Sequence, residues 1–169
     1  MQLANLLDYG MVSNAGIAEL VVSGDPDVVL AAPNLGSCIG VAAWDPKTRF
    51  GGVIHCLLPS SASDPEKAKQ RPYMYVDVGV LALLRRLLAQ GANKRDLILT
   101  VAGGAQISDE NNVFQIGKKN YTMLRKVLWK NNILIAAEDT GGNSSRTIAL
   151  HVGSGETYVR VGSQFRRLR

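Results

Sequence analysis

Two apolar runs, residues 37–44 and 52–58, stand on either side of Asp45-Pro46-Lys47-Thr48. Proline presets φ for a turn, so the pair reads as an antiparallel hairpin of short strands. A turn of this kind fixes which residues face each other. With Asp45 to Thr48 as the loop, Trp44 opposes Arg49, and counting outward brings Cys38 directly opposite His55. Their Cβ atoms are then expected roughly 4.5–5.5 Å apart on one face of the sheet. A slip of one residue would send the two side chains to opposite faces.

The rest of the chain repeats this scale of element. Residues 16–22 and 28–32 read as strands separated by Ser23-Gly24-Asp25-Pro26, residues 59–71 as a polar loop. From Asp77, placed as an N-cap, apolar positions 80, 81, 84, 87 and 88 follow the helical period as far as a Gly91 cap. A strand over 96–102 ends at Gly103-Gly104, and a loop through Asp109, Glu110, Asn111 and Asn112 leads to a second helix over 118–130. Its expected buried face is Tyr121, Leu124, Val127 and Leu128. A strand over 133–137 and a hairpin over 146–152 and 157–161 complete the pattern. About eight short strands in clusters, with two segregated helices, define an α+β fold of packed, mainly antiparallel β-sheets flanked by helices. The 169 residues suit one domain, 1–169, with 46% hydrophobic and 20% charged residues. No apolar run approaches the ~20 residues of a membrane span, and the N-terminus carries no basic flank of a secretory signal. Two cysteines without such a signal point to a reducing, cytoplasmic setting and to no membrane insertion.

A thiol beside an imidazole is a nucleophile arrangement, because the ring takes the thiol proton and the thiolate attacks an acyl carbon. Gly36 and Gly40 leave the backbone around Cys38 open, and the amides near Gly36 and Ser37 are candidate oxyanion donors. The competing reading is a core cysteine beside an incidental strand histidine. Cys56 follows His55 and alternates to the other face, which argues for a buried, inert thiol and against a zinc site shared with Cys38 and His151. His151 reads as an exposed strand residue.

On these residues the sequence resembles the CheD chemoreceptor glutamine deamidases. The shared text is Leu35-Gly36-Ser37-Cys38-Ile39-Gly40-Val41, then Gly51-Gly52-Val53-Ile54-His55-Cys56-Leu57-Leu58-Pro59. Pro72, Tyr75-Val76-Asp77, Ala102-Gly103-Gly104-Ala105, Ile116-Gly117 with Asn120, and residues 137–143 follow in order. The resemblance implies a hydrolase that converts receptor glutamines to glutamate, on a fold shared with the deamidase domain of cytotoxic necrotizing factor toxins. It implies Cys38 as nucleophile and His55 as acid and base, no cofactor and no metal. It further implies chemoreceptor cytoplasmic helices as substrate and a CheC-type phosphatase as partner.

One position departs from the family. The threonine normally six residues before the cysteine is Ala32 here, and Pro33-Asn34 replaces the usual Leu-Gly. The third, ring-orienting group is therefore expected from a main-chain carbonyl near Ala32 or from Asn34. Two classes stay open at this point, a working deamidase and a CheD-like binding module that has lost turnover. Gly103, Gly104, Asp139 and Thr140 either line a substrate groove or form tight structural connections, with Asp139 satisfying backbone donors. Residues 1–46 carry five acids and no base, so all 19 bases fall in the remainder. Such a surface suits acidic helices. The bases are scattered apart from residues 164–169, read as a solvated or partner-docking tail, and nucleic acid is not expected as a partner.

Overall fold

A computed structural model describes residues 11–107 and 115–169. The expected loop through Asp109, Glu110, Asn111 and Asn112 lies outside the described residues. Ten strands form two five-stranded sheets. The strands are β1 (Met11–Asn14), β2 (Glu19–Ser23), β3 (Val28–Leu35), β4 (Ile39–Asp45), β5 (Phe50–Cys56), β6 (Ile98–Gly103), β7 (Ile135–Thr140), β8 (Arg146–His151), β9 (Thr157–Val161) and β10 (Gln164–Arg167). One sheet runs β1-β3-β8-β9-β10 and the other β2-β5-β4-β6-β7. Pairing is antiparallel except for β1 with β3 and β6 with β7. The α-helices are α1 (Pro65–Gln70), α2 (Val76–Ala89) and α3 (Ile116–Lys130).

Alternation along β4 and β5 divides the interior into two layers. Ile39, Val41, Ala43, Ile54 and Cys56 pack against α2 and α3, while Cys38, Ala42, Trp44 and Val53 pack against β3 and β8 of the other sheet. The expected packed, mainly antiparallel sheets flanked by helices are the observed architecture. In α2 the buried stripe is Val76, Val80, Leu83, Leu84 and Leu87, each leucine contributing about 1.5–3 kcal/mol through burial. Gly91 ends that helix in the left-handed region, where its missing Cβ removes the steric cost. Asp77 is not the N-cap. It lies in the first turn, and its carboxylate accepts from the Ser61 amide and hydroxyl.

The hairpin register differs from the expected one by two residues. Asp45 pairs with Phe50, so the loop is Pro46 to Arg49, with Arg49 at φ 53°. The cause is the Asp45 carboxylate. It accepts from the Thr48 amide at 2.9 Å while the Asp45 carbonyl accepts from the Arg49 amide, which draws Asp45 into the ladder. His55 consequently opposes Gly40, not Cys38. A shift of two preserves facing, so Cys38 and His55 still share a face.

Two further segments differ from expectation. The polar 59–71 loop contains α1, whose N-cap Asp64 accepts from the Lys67 amide. The basic tail is strand β10, tied to the body by Arg167–Glu156 at 2.8 Å and by an Arg166–Asp139 pair. Strands β2 and β3 join different sheets, β2 pairing with β5 and β3 with β8.

Helix α3 presses directly on the loop after β6. A Cβ on Gly117 would sit 2.4 Å from the Ala105 carbonyl oxygen and 2.6 Å from that of Gly104, both main chain. Gly117→Ala is expected to cost about 1–3 kcal/mol of stability through this overpacking, read as a lowered urea midpoint at unchanged slope.

Candidate active site

Cys38 sits in the bend between β3 and β4, just outside the β4–β5 ladder. That bend is pinned carbonyl by carbonyl. The Gly36 carbonyl accepts from the Ala105 amide at 2.9 Å, the Ser37 carbonyl from Asn120 Nδ2 at 2.9 Å, and the Cys38 carbonyl from the Gly104 amide at 2.8 Å. The amides of Gly36 and Ser37 donate to no acceptor among the described residues. Gly103 must be glycine for this approach, since at φ 105° a Cβ would lie 2.2 Å from the Cys38 carbonyl oxygen.

His55 is buried at 2% exposure in β5, between Glu19 of β2 and Gly40 of β4. A Cβ on Gly40 would lie 2.6 Å from Leu35 Cδ1 and 3.1 Å from Ile148 Cγ2, so the glycine opposite His55 lets the other sheet pack close. The ring is held by the Ala15 carbonyl, 3.1 Å from Nδ1. A carbonyl can only accept, so Nδ1 carries the proton and Nε2 presents its lone pair. Nε2 is buried and has no hydrogen-bond partner among the described residues. Burial lowers the His55 pKa below its ordinary 6.5, opposed by the Ala15 hydrogen bond and the Glu19 carboxylate. Burial raises that of Cys38, opposed by its own amide. Both groups therefore rest neutral near pH 7, a thiol and an imidazole on one face of the sheet.

The orienting carbonyl comes from a different element than expected. Ala32 is fully buried in the layer between the sheets, and Asn34 is exposed at φ 55° with its amide 3.4 Å from Thr147 Oγ1. Ala15 belongs instead to the β1–β2 connection. Its amide donates to the Ala31 carbonyl at 2.7 Å, and the Ala18 amide donates to the His55 carbonyl at 2.9 Å. Glu19 closes this turn by accepting from the Gly16 amide at 2.7 Å.

Gly103 and Gly104 lie against the Cys38 bend. Thr140 pairs with Gly103 across β6–β7 and reaches Glu138, and Asp139 is held by the guanidinium groups of Arg146 and Arg166 rather than by backbone donors. Arg146, 6% exposed, also donates to the carbonyls of Asp139, Gly141 and Ser144, so the 139–144 connection is a clamped turn. Cys56 is fully buried on the helix side, with its pKa pushed far up by desolvation, and His151 is half-buried with Nδ1 2.8 Å from Ser154 Oγ.

Sequence reasoning missed Ala15, Glu19 and Arg146, and gave Asn120 no role. A main-chain acceptor leaves no mark in residue identity, so Ala15 was invisible. Asn120 did carry a signal, a polar residue on the apolar stripe Gly117, Leu124, Val127 and Leu128.

A cysteine and a one-sided histidine, set between two sheets with helices outside, define a thiol-bearing α+β protein with a candidate hydrolase site. Residues 57–161 match the family model described as CheD chemotactic sensory transduction. A "Probable chemoreceptor glutamine deamidase CheD" of Solibacter usitatus is 44% identical over 90% of each chain. Relatives named in the same way from Syntrophus aciditrophicus (45%, over 85% of this chain and 90% of that one) and Anaeromyxobacter dehalogenans (41%, over 88% and 94%) are similarly close. Among solved structures, a crystal structure of a Neisseria meningitidis protein superposes at TM-score 0.46 with 11% identity, over 84% of this chain and 67% of that one, too loosely to carry fold or function. The chain belongs to the CheD family.

The neutral His55 sets a pH response. The folded state binds fewer protons than the unfolded one between their two histidine pKa values. On this account stability falls as pH drops below about 6.5 towards the lower folded value. In a nitrogen-detected NMR titration His55 is expected as the Nδ1–H tautomer with its midpoint under 6.5. Glu19→Gln should move that midpoint lower still, because the carboxylate favours the imidazolium. An Nε2–H tautomer, or an upward move, would contradict the assignment.

Proposed function

We propose that this protein is a protein-glutamine deamidase of chemoreceptors, with Cys38 as nucleophile and His55 as the acid–base group. The observation that carries the reading is the one-sided imidazole, donating from Nδ1 to a carbonyl and presenting a buried, unpartnered Nε2 on the face it shares with Cys38. The names of relatives 41–45% identical support the same substrate class.

The chemistry follows from the neutral pair. As the glutamine carboxamide arrives, His55 Nε2 takes the Cys38 proton and Sγ bonds to the carboxamide carbon. The amides of Gly36 and Ser37, without an acceptor among the described residues, lie on the chain next to the attacking sulfur and are suited to receive the oxyanion. The imidazolium then gives its proton to the departing nitrogen, which leaves as ammonia and a thioester remains. Water loses a proton to the same Nε2 and adds to the thioester. The C–S bond breaks, returning the proton to sulfur and releasing glutamate.

Recognition of an acidic receptor helix is supported by the outer face of α3. A groove of about 430 Å³ between α3 and residues 59–60 is ringed by Lys118, Lys119 and Lys126, with Met123 and Pro59 in its lining. Apolar lining under three ammonium groups suits an amphipathic helix with acidic flanks.

A binding module without turnover was the alternative because Ala32 has no side-chain acceptor. The Ala15 carbonyl meets that need without a threonine, which favours the enzyme.

The deciding experiment incubates the protein with a purified receptor cytoplasmic domain and reads ammonia with a mass gain of about one dalton per site. Cys38→Ala is expected to abolish the gain and Cys56→Ala to leave it largely intact, since only Cys38 shares the layer of His55. His55→Ala should slow turnover by at least about 10²-fold. Equal loss from both cysteine variants, each folded, would overturn the assignment. Asn34→Ala, at an exposed position away from the ring, should leave the rate within about twofold, whereas a large fall would return the orienting role to that side chain.

A further inference from the structure

The geometry points to Asn120 as a positioning residue that sets the distance between nucleophile and base, an inference that rests on the Cys38–His55 reading above. Asn120 lies in the first half of α3 and is fully buried. Its Nδ2 donates twice, to the Ser37 carbonyl at 2.9 Å and to the Leu57 carbonyl at 3.0 Å. Both acceptors are carbonyls, so the nitrogen has to be the atom that faces them. Ser37 directly precedes Cys38, and Leu57 lies two residues beyond His55 on the same alternation. One amide therefore bridges the two segments that carry the reacting groups.

Other contacts near the site do not perform this bridging. The carbonyls of Gly36 and Cys38 are held by main-chain amides of Ala105 and Gly104, which join the bend to the end of β6 but not to β5. Cys38 itself lies outside the β4–β5 ladder, whose last pair is Ile39 with Cys56. Beyond that pair, the Asn120 amide is the side-chain link from the bend to the strand of His55 among the described residues.

The residue does this at a cost to its own hydrogen bonding. Its Oδ1 is buried and has no partner among the described residues. Burying an unsatisfied oxygen opposes folding. An apolar side chain on that stripe would avoid this penalty but would take the donor from the Ser37 and Leu57 carbonyls. What the amide supplies is a pair of donors at fixed separation. Misplacement by about 1 Å in a reacting pair lowers rates by about 10²-fold, so a bridge of this kind acts on the chemical step more than on substrate binding.

The test compares Asn120→Ala and the isosteric Asn120→Asp, whose carboxylate donates nothing, with Leu124→Ala one turn later on α3. Leu124 is fully buried in the helix layer and, being apolar, ties neither segment by a hydrogen bond. With receptor domain as substrate, the Asn120 variants are expected to lose about 10²-fold in kcat with KM nearly unchanged. Leu124→Ala should melt earlier yet keep its kcat when assayed below its Tm. A kcat unchanged in the Asn120 variants, or an equal fall in Leu124→Ala, would overturn the inference, as would failure of both Asn120 variants to fold.

A second readout needs no turnover. The rate of Cys38 alkylation by iodoacetamide, followed by mass spectrometry against pH, should show an inflection in the wild type that His55→Ala removes. The folded Asn120 variants should lose the same inflection, and its retention would refute the bridge. If the wild type deaminates nothing, the functional reading fails while this profile still decides the role of Asn120.

Discussion

The pairing of β4 with β5 governs the rest of the molecule. It lies inside the second sheet, flanked by β2 and β6, and its alternation decides which side chains face the helices and which face the opposing sheet. Both cysteines hang on this one register. The thiol beneath the helices is desolvated beyond use, and the thiol between the sheets shares its layer with an imidazole. Glycine opposite the histidine completes the arrangement, because a side chain there would run into Leu35 and Ile148 of the opposing sheet.

Around that ladder the protein fixes the bend at Cys38 through its carbonyls. Three consecutive carbonyl oxygens are tied down, two by the loop after β6 and one by α3. Those bonds fix the direction of the main-chain dipoles at the bend. Helix α3 contributes to both sides of this design, through the close seat of Gly117 on the β6 loop and through the Asn120 amide.

The sequence made legible whatever depended on periodicity and turn chemistry. The helical stripe before Gly91, the β8–β9 hairpin and the shared face of Cys38 and His55 all follow from spacing. Positions decided by one local hydrogen bond were not legible. The Asp45 carboxylate drew its own residue into the ladder and moved the register by two, and nothing in Asp45-Pro46-Lys47-Thr48 distinguishes that loop from one starting a residue later. Strand β10 was hidden because Arg166 and Arg167 read as solvated charge until Asp139 and Glu156 are brought beside them by distant parts of the chain. The short helix α1 was masked by the polar composition of its surroundings.

The carbonyl at Ala15 carries a consequence for how such proteins diverge. An acceptor supplied by the peptide group persists through almost any substitution at its own position, provided the turn keeps its shape. Selection on the third member of the site would then act on turn geometry, through Gly16 and the carboxylate of Glu19, and not on the identity of one side chain. A chain of this kind can carry a small apolar residue at 32 while its histidine stays in one tautomer.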